Sequence, residues 1–280
     1  MKTRAFCLGL ALAPAWTLSG EAPGVKAGDA HGPAAGTFVK AGGALTRPTL
    51  QVGERLEYAI ELARLRLGTG VLAVEGREEV EGIPTFRVTL EVGIGGPFMR
   101  VEESKVSWIA TEPFRSLRFE KRRRRKDGRL ARRYRFDHAA GTYLAEDWSE
   151  EAGIYMPISG AGGAGPIPAA ALDELGVLYL IRHLALESGR TYATRQYFET
   201  EKNPVVVRVL GTEEIRVPAG KFRTLVLEPD IPATDIFRAD KKARLYVTDD
   251  ARRLIVKVTT TTRLGTVVAY LRRYETGGTS

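Results

Sequence analysis

From Val52 onward the chain alternates between apolar and polar positions. Leu56, Tyr58, Ile60 and Leu62 point one way with mostly polar partners between them, the period of a half-buried strand. Phe86, Val88, Leu90 and Val92 repeat the pattern, and Val106, Trp108 and Ala110 follow. Further strand-like runs occupy 71–74, 192–198, 205–210, 215–217, 222–227, 243–247, 254–262 and 266–274. Turn chemistry separates the runs at Glu81-Gly82, Pro218-Ala219-Gly220, Asp249-Asp250 and Leu264-Gly265. This rhythm predicts a mainly β fold: one domain over 49–276, with curved antiparallel sheets forming an open barrel or sandwich, and a tail at 277–280. No period of 20 to 50 residues recurs, which argues against a propeller or a solenoid.

Two stretches break the rhythm. Residues 151–168 are rich in Gly, Ala and Pro without a usable period, and read as a long loop. Residues 169–188 carry Leu172, Leu175, Tyr179, Arg182 and Leu186 at helical spacing, with Gly189 as the stop signal. Leu178, Ile181 and Ala185 widen the apolar face of this helix, which should pack against the concave face of the sheet.

The N-terminus reads as an address. Lys2 and Arg4 precede an apolar stretch over 5–13, and small residues follow, with cleavage sites at Ala13-Pro14-Ala15 or near Gly20 and Ala22. The expectation is a signal peptide over 1–20, a flexible Gly/Ala/Pro-rich linker over 21–48, and a periplasmic or secreted product. The apolar stretch is too short to span a bilayer. The one cysteine, Cys7, lies inside that leader, so the mature chain would carry no thiol and no disulfide. With three histidines besides, there is no basis for a Cys/His metal site, and no cofactor is expected.

Charge changes the picture in one place. The chain has a formal net charge of +8, yet 115–135 alone holds twelve bases against Glu120 and Asp127. The high isoelectric point is therefore local, and the rest of the mature chain is net acidic. Asp127-Gly128 is a two-residue hairpin signal. Centring the hairpin there places Phe119 opposite Phe136, Lys121 opposite Tyr134, Glu120 opposite Arg135 and Arg118 opposite Asp137. Arg122 would then face Arg133 and Arg123 face Arg132, a like-charge crowding that calls for solvent or an anion. Guanidinium forks bind phosphate and carboxylate, so Arg122, Arg123, Arg124, Arg125, Arg129, Arg132 and Arg133 form a candidate anion-binding set. The bland alternative is a solvated, charge-protected edge. An anionic envelope surface fits an exported chain better than nucleic acid does, and the aromatics lie below the tip, where they pair with one another rather than forming a stacking platform.

Catalytic patterns are absent from the sequence. His183 lies on the predicted helix with no second histidine four residues away, and His138 ends a strand. Asp249-Asp250 reads as a turn, without the remaining ligands of a calcium loop. Glu102-Glu103 and Glu213-Glu214 lie in strands, where neighbours face opposite sides and cannot act as a carboxylate pair. No nucleophile elbow, P-loop or zinc-protease helix occurs.

Several segments taken together resemble the domain of unknown function 3108 family of exported bacterial proteins. They are Val52-Gly53-Glu54-Arg55-Leu56-Glu57-Tyr58, Arg133-Tyr134-Arg135-Phe136-Asp137, Leu178-Tyr179-Leu180-Ile181-Arg182 with Gly189, Val217-Pro218-Ala219-Gly220-Lys221-Phe222, and Leu245-Tyr246-Val247-Thr248-Asp249-Asp250 through Leu264-Gly265. The resemblance implies export and a curved antiparallel sheet wrapped around a helix, similar to periplasmic lipoprotein carriers. It transfers no activity and no catalytic residue. Two readings of function follow. The first is a non-catalytic envelope protein that takes a lipid, another amphipathic ligand or a partner in its concave sheet. The second is a structural or assembly factor that touches anionic envelope components through the basic hairpin at 115–137. An apolar cavity of a few hundred Å³ would favour the first, and a filled core the second.

Overall fold

The computed structural model describes residues 37–38, 50–95, 100–125, 128–231, 242–262 and 265–278. The predicted leader and all of the predicted linker except residues 37–38 lie outside these residues, as does the turn residue Leu264. In chain order the first strands are β1 (Thr37–Phe38), β2 (Glu54–Leu62), β3 (Leu65–Val80), β4 (Ile83–Gly95) and β5 (Arg100–Thr111). Next come β6 (Phe114–Arg125), β7 (Gly128–Asp137), β8 (Thr142–Ser149), β9 (Ile154–Pro157) and β10 (Ala164–Pro166). The helix α1 (Glu174–His183) follows, then β11 (Thr191–Thr194), β12 (Val205–Val217), β13 (Gly220–Asp230), β14 (Arg244–Thr248), β15 (Ile255–Thr262) and β16 (Gly265–Thr276).

The sixteen strands among the described residues belong to one sheet, in the order β1-β11-β12-β13-β14-β15-β16-β2-β3-β4-β5-β6-β7-β8-β10, with β9 also on β8. Neighbouring strands are antiparallel except β1 on β11. Among the described residues the two ends of the order do not pair with each other, so the sheet forms an open barrel. Its curvature follows from what α1 touches: Glu54 at the start of β2, Ser107 on β5, Lys121 on β6 and the carbonyl of Arg253 before β15. One short helix reaches strands that far apart only if the sheet wraps around it.

Period-two patterning builds the core row by row. Val74, Val88, Ser107, Phe119, Tyr134 and Ala145 lie directly opposite one another across β3 to β8, and all are buried on the inner face. Above them α1 contributes Leu175, Val177, Tyr179 and Ile181, and the chain beside it adds Leu172, Tyr197 and Phe198. Burying a side chain of this size stabilises the fold by about 1.5–3 kcal/mol. The Glu81-Gly82 turn forms as expected, with both residues at positive φ, 52° and 77°.

The helix is shorter than the predicted 169–188. Its start is set by Asp173, whose carboxylate accepts from the Leu175 and Gly176 amides at 2.8 and 2.9 Å. Before that cap the chain is already committed elsewhere: Leu172 donates to the Gln196 carbonyl and accepts from the Phe198 amide. At the other end Leu184 is extended, and Gly189 closes a later turn, its amide on the Val209 carbonyl. The expected loop over 151–168 also differs from the structure, because β9 and β10 lie within it and both pair with β8.

Candidate functional site

The basic hairpin forms in a different register. Arg125 lies opposite Gly128, so the connection is 126–127, outside the described residues, rather than Asp127-Gly128. Every partner moves by two residues: Phe119 meets Tyr134, Glu120 meets Arg133 and Arg118 meets Arg135. A two-residue slip preserves which face each side chain takes, whereas a one-residue slip would reverse it. Phe119 and Tyr134 accordingly stack, with centroids 6.1 Å apart. The expected clashes of Arg122 with Arg133 and of Arg123 with Arg132 do not occur. Instead Arg122 faces Ala131, Arg123 faces Leu130, and Arg124 faces Arg129.

Strand alternation divides six of the seven candidate arginines between the two faces, the side chain of Arg125 lying outside the described residues. One row beyond the buried core, the inner face carries Lys105, Lys121 and Arg132 directly opposite one another. Three cations in line are tolerated because carboxylates meet them. Glu174, at the start of α1, accepts from Lys105 and Lys121 at 2.7 and 2.6 Å. Asp147 takes Arg132 with two bonds of 2.7 and 2.8 Å. Burial alone would raise Glu174, but the two lysines outweigh it and hold its carboxyl far below the usual range. Farther along the same face Arg123 donates to Glu103 at 2.9 Å. Arg133, on the outer face, holds the buried Glu146 at 2.8 Å and lies over the Tyr155 ring at 4.3 Å.

Arg122, Arg124 and Arg129 differ from these. They share the outer face, with side chains 65%, 61% and 66% exposed. Their nearest carboxylates, on Glu120, Glu102 and Glu150, are 3.4, 4.0 and 4.0 Å away. The three line an open trough of about 620 Å³ whose floor includes Gly93, Ser104 and Ala131. Acids on the hairpin and on neighbouring strands thus sit beside its arginines. What remains loosely held is this group of three.

The other sequence candidates are structural. Glu102 and Glu103 do face opposite sides, toward Arg124 and Arg123. The His138 Nε2 lies 2.8 Å from the Ser116 carbonyl, and burial lowers its pKa. His183 is buried with its Nδ1 on the Tyr179 carbonyl, and burial takes it down to about 4. Asp249 and Asp250 form the bend after β14 and pair with Arg223, Arg253 and Arg252. Among the described residues no group of three or more His, Cys, Asp or Glu is placed to hold a metal.

Two buried polar groups had no counterpart in the sequence reading. Arg182 is fully buried on α1 and grips Glu54 through bonds of 2.8 and 2.7 Å, while the Tyr179 hydroxyl donates to the same carboxylate. Asp173 accepts from the Ser107 hydroxyl at 2.5 Å as well as capping the helix, and burial pushes it up to about 6. An arginine on an otherwise apolar helix face was the available signal for the first.

The family described as "Protein of unknown function (DUF3108)" matches residues 57–272. No curated protein matches the chain. Among solved structures, a β-barrel-like protein of the domain of unknown function DUF1849 from Brucella abortus is similar at 10% identity and a TM-score of 0.45, covering 81% of this chain and 98% of its own. A protein from Bacteroides fragilis, assigned as exported with a YmcC-like fold, is 13% identical with a TM-score of 0.27, over 80% and 96%. One from Parabacteroides distasonis, assigned as a lipoprotein, is 9% identical with a TM-score of 0.27, over 81% and 96%. No helix among the described residues is long and apolar enough to cross a membrane.

Proposed function

Since the chain belongs to the DUF3108 family, whose description assigns no function, its own residues must supply one, and we propose an exported, non-catalytic envelope protein that holds an anionic component in the outer trough. Export rests on the N-terminal pattern of Lys2, Arg4 and the apolar residues that follow. The observation that carries the binding role is the loose hold on Arg122, Arg124 and Arg129. A phosphate or carboxylate oxygen placed 2.7–2.9 Å from these guanidiniums would out-compete carboxylates at 3.4, 4.0 and 4.0 Å. It would also relieve the like-charge pair of Arg124 opposite Arg129. The trough is open, which suits an extended partner that meets several arginines at once better than a small enclosed ligand, and acids in its lining, Glu91, Glu102 and Glu150 among them, oppose the anion.

The concave face supports an apolar ligand less well. Leu172, Leu175, Tyr179, Tyr197 and Phe198 are fully buried under the sheet and fill the space around α1.

The test is binding of soluble inorganic polyphosphate at low and raised salt. In Arg122→Ser/Arg124→Ser/Arg129→Ser, affinity at low salt should fall by at least about tenfold, since each exposed charge contributes on the order of 1 kcal/mol near an anionic surface. Equal affinity of the two proteins at low salt would remove the proposal.

A further inference from the structure

We infer that the trough's anionic partner is a lipid bilayer, whose interface the ribbon of β8 and β9 enters beside the three arginines; this rests on the anion-binding reading above. Of the six large hydrophobic side chains that stand exposed among the described residues, Leu130, Trp148, Ile154 and Met156 lie together at one end of β7 to β9. Register and alternation set Trp148 and Tyr155 on the outer face, rings 5.3 Å apart, with Arg133 over Tyr155. Ile154 and Met156 lie opposite Ser149 and Asp147 and take the inner face. β9 is apolar on both faces, and docking against one flat protein surface would not cover it; the acids of β8 beside it, Glu146 and Asp147, are held by Arg133 and Arg132. Such a strand suits a medium that surrounds it. Tryptophan and tyrosine favour the bilayer interface, where ring and polar edge are both accommodated.

Two further observations agree. No charged residue occurs from 152 through 172, so β9 itself carries no ion into the interface, and Asp147 opposite Met156 is already paired with Arg132. Addition of a protein strand to the free edge of β9 is poorly served. Ile158 donates to the Ala145 carbonyl, so 154, 156 and 158 turn their backbone groups toward β8, and the outward positions are Tyr155 and Pro157. Proline has no amide to offer a new strand. Glu150 and Glu151 stand at the turn and oppose an anionic surface, so the arginines alone give only a modest attraction. The apolar side chains must supply the remainder.

The experiment uses vesicles of phosphatidylglycerol and phosphatidylcholine in equal parts, with brominated acyl chains, and the protein carrying Trp16→Phe. Trp108 is buried beneath Arg118 and should not respond. Quenching of tryptophan emission is expected, and Trp148→Phe should abolish it. Trp148→Ser/Met156→Ser should lower vesicle partition about tenfold, because the apolar area removed exceeds what that factor needs. The same variant should bind polyphosphate as the parent protein does. Absence of quenching, or unchanged partition of the double variant, overturns the inference while leaving arginine-dependent polyphosphate binding intact. Polyphosphate binding indifferent to the three arginines overturns the anion-binding reading instead.

Discussion

The charges around α1 and the charges of the outer trough are built from the same residue types, and burial gives them opposite roles. Arg182 and Glu54 are enclosed, joined by two short bonds, and further satisfied by Tyr179 and two backbone carbonyls. Arg124 and Glu102 face each other across strands, mostly in solvent, 4.0 Å apart. Removing one member of the first pair strands a charge where water cannot reach it, whereas removing one of the second leaves a solvated partner. An ion pair therefore reports fold when buried and availability when exposed. The basic segment contains both kinds within a few residues, because strand alternation sends neighbours to opposite faces.

The largest effect should come from breaking the buried pair. Arg182→Met leaves Glu54 uncompensated, and chemical denaturation should show a loss of about 3–5 kcal/mol. Arg182→Met with Glu54→Gln should recover a substantial part of it. A loss below about 1 kcal/mol for the single change would mean that the pair is hydrated and the contrast with the trough is false.

A smaller effect should follow pH. Burial raises Asp173 to about 6, above its unfolded value near 4. The stability this group contributes is therefore fully present below about pH 4 and is lost as pH rises through about 6. Glu174 runs the other way: its carboxyl is depressed, so its contribution is present above the ordinary carboxylate range and lost in acid. His183, lowered to about 4, also favours the less acidic side. Comparing variant with parent isolates one group. Asp173→Asn keeps an oxygen for the Leu175 and Gly176 amides, so its stability relative to the parent should rise by on the order of 1–3 kcal/mol between pH 4 and pH 8. A constant difference across that range would contradict the burial argument.

On the outer face, Arg133→Ser should cost about 1–2 kcal/mol by thermal unfolding, since Glu146 beneath it is buried and keeps only Arg135 at 3.3 Å. The smallest effect belongs to the trough. Replacing Arg122, Arg124 and Arg129 together by serine should change stability by no more than about 0.5 kcal/mol, because it removes like-charge crowding along with weak exposed pairs. A larger loss would make the trough arginines structural.

How far these roles could be read from sequence depends on range. Which face each hairpin residue takes was legible, since period two is a local property that survives a two-residue error in the turn. The register itself was not, because 126–127 and 127–128 are both plausible two-residue connections and preserve the same alternation. Asp173 was recognisable as a helix-capping type, yet the capture of Leu172 by 196–198 is a tertiary contact that no helical period records. Residues 151–168 lack a strand period, and 154–157 and 164–166 become strands because β8 offers them an edge. Glu54 and Arg182 stand 128 positions apart, so the segments at 52–58 and 178–182 were visible individually while the bond between them was not. The anion-binding set was chosen by residue type. The structure separates it by how closely each guanidinium is already held.

The most direct test of that separation compares two single substitutions that change formal charge equally. Arg124→Ser removes a guanidinium exposed in the trough, and Arg132→Ser removes one bound to Asp147 on the inner face. Polyphosphate affinity is measured for both at low salt beside the parent protein. A clear loss is expected for Arg124→Ser and near-parent affinity for Arg132→Ser. Equal losses would show that net charge alone attracts the anion and would contradict a built site.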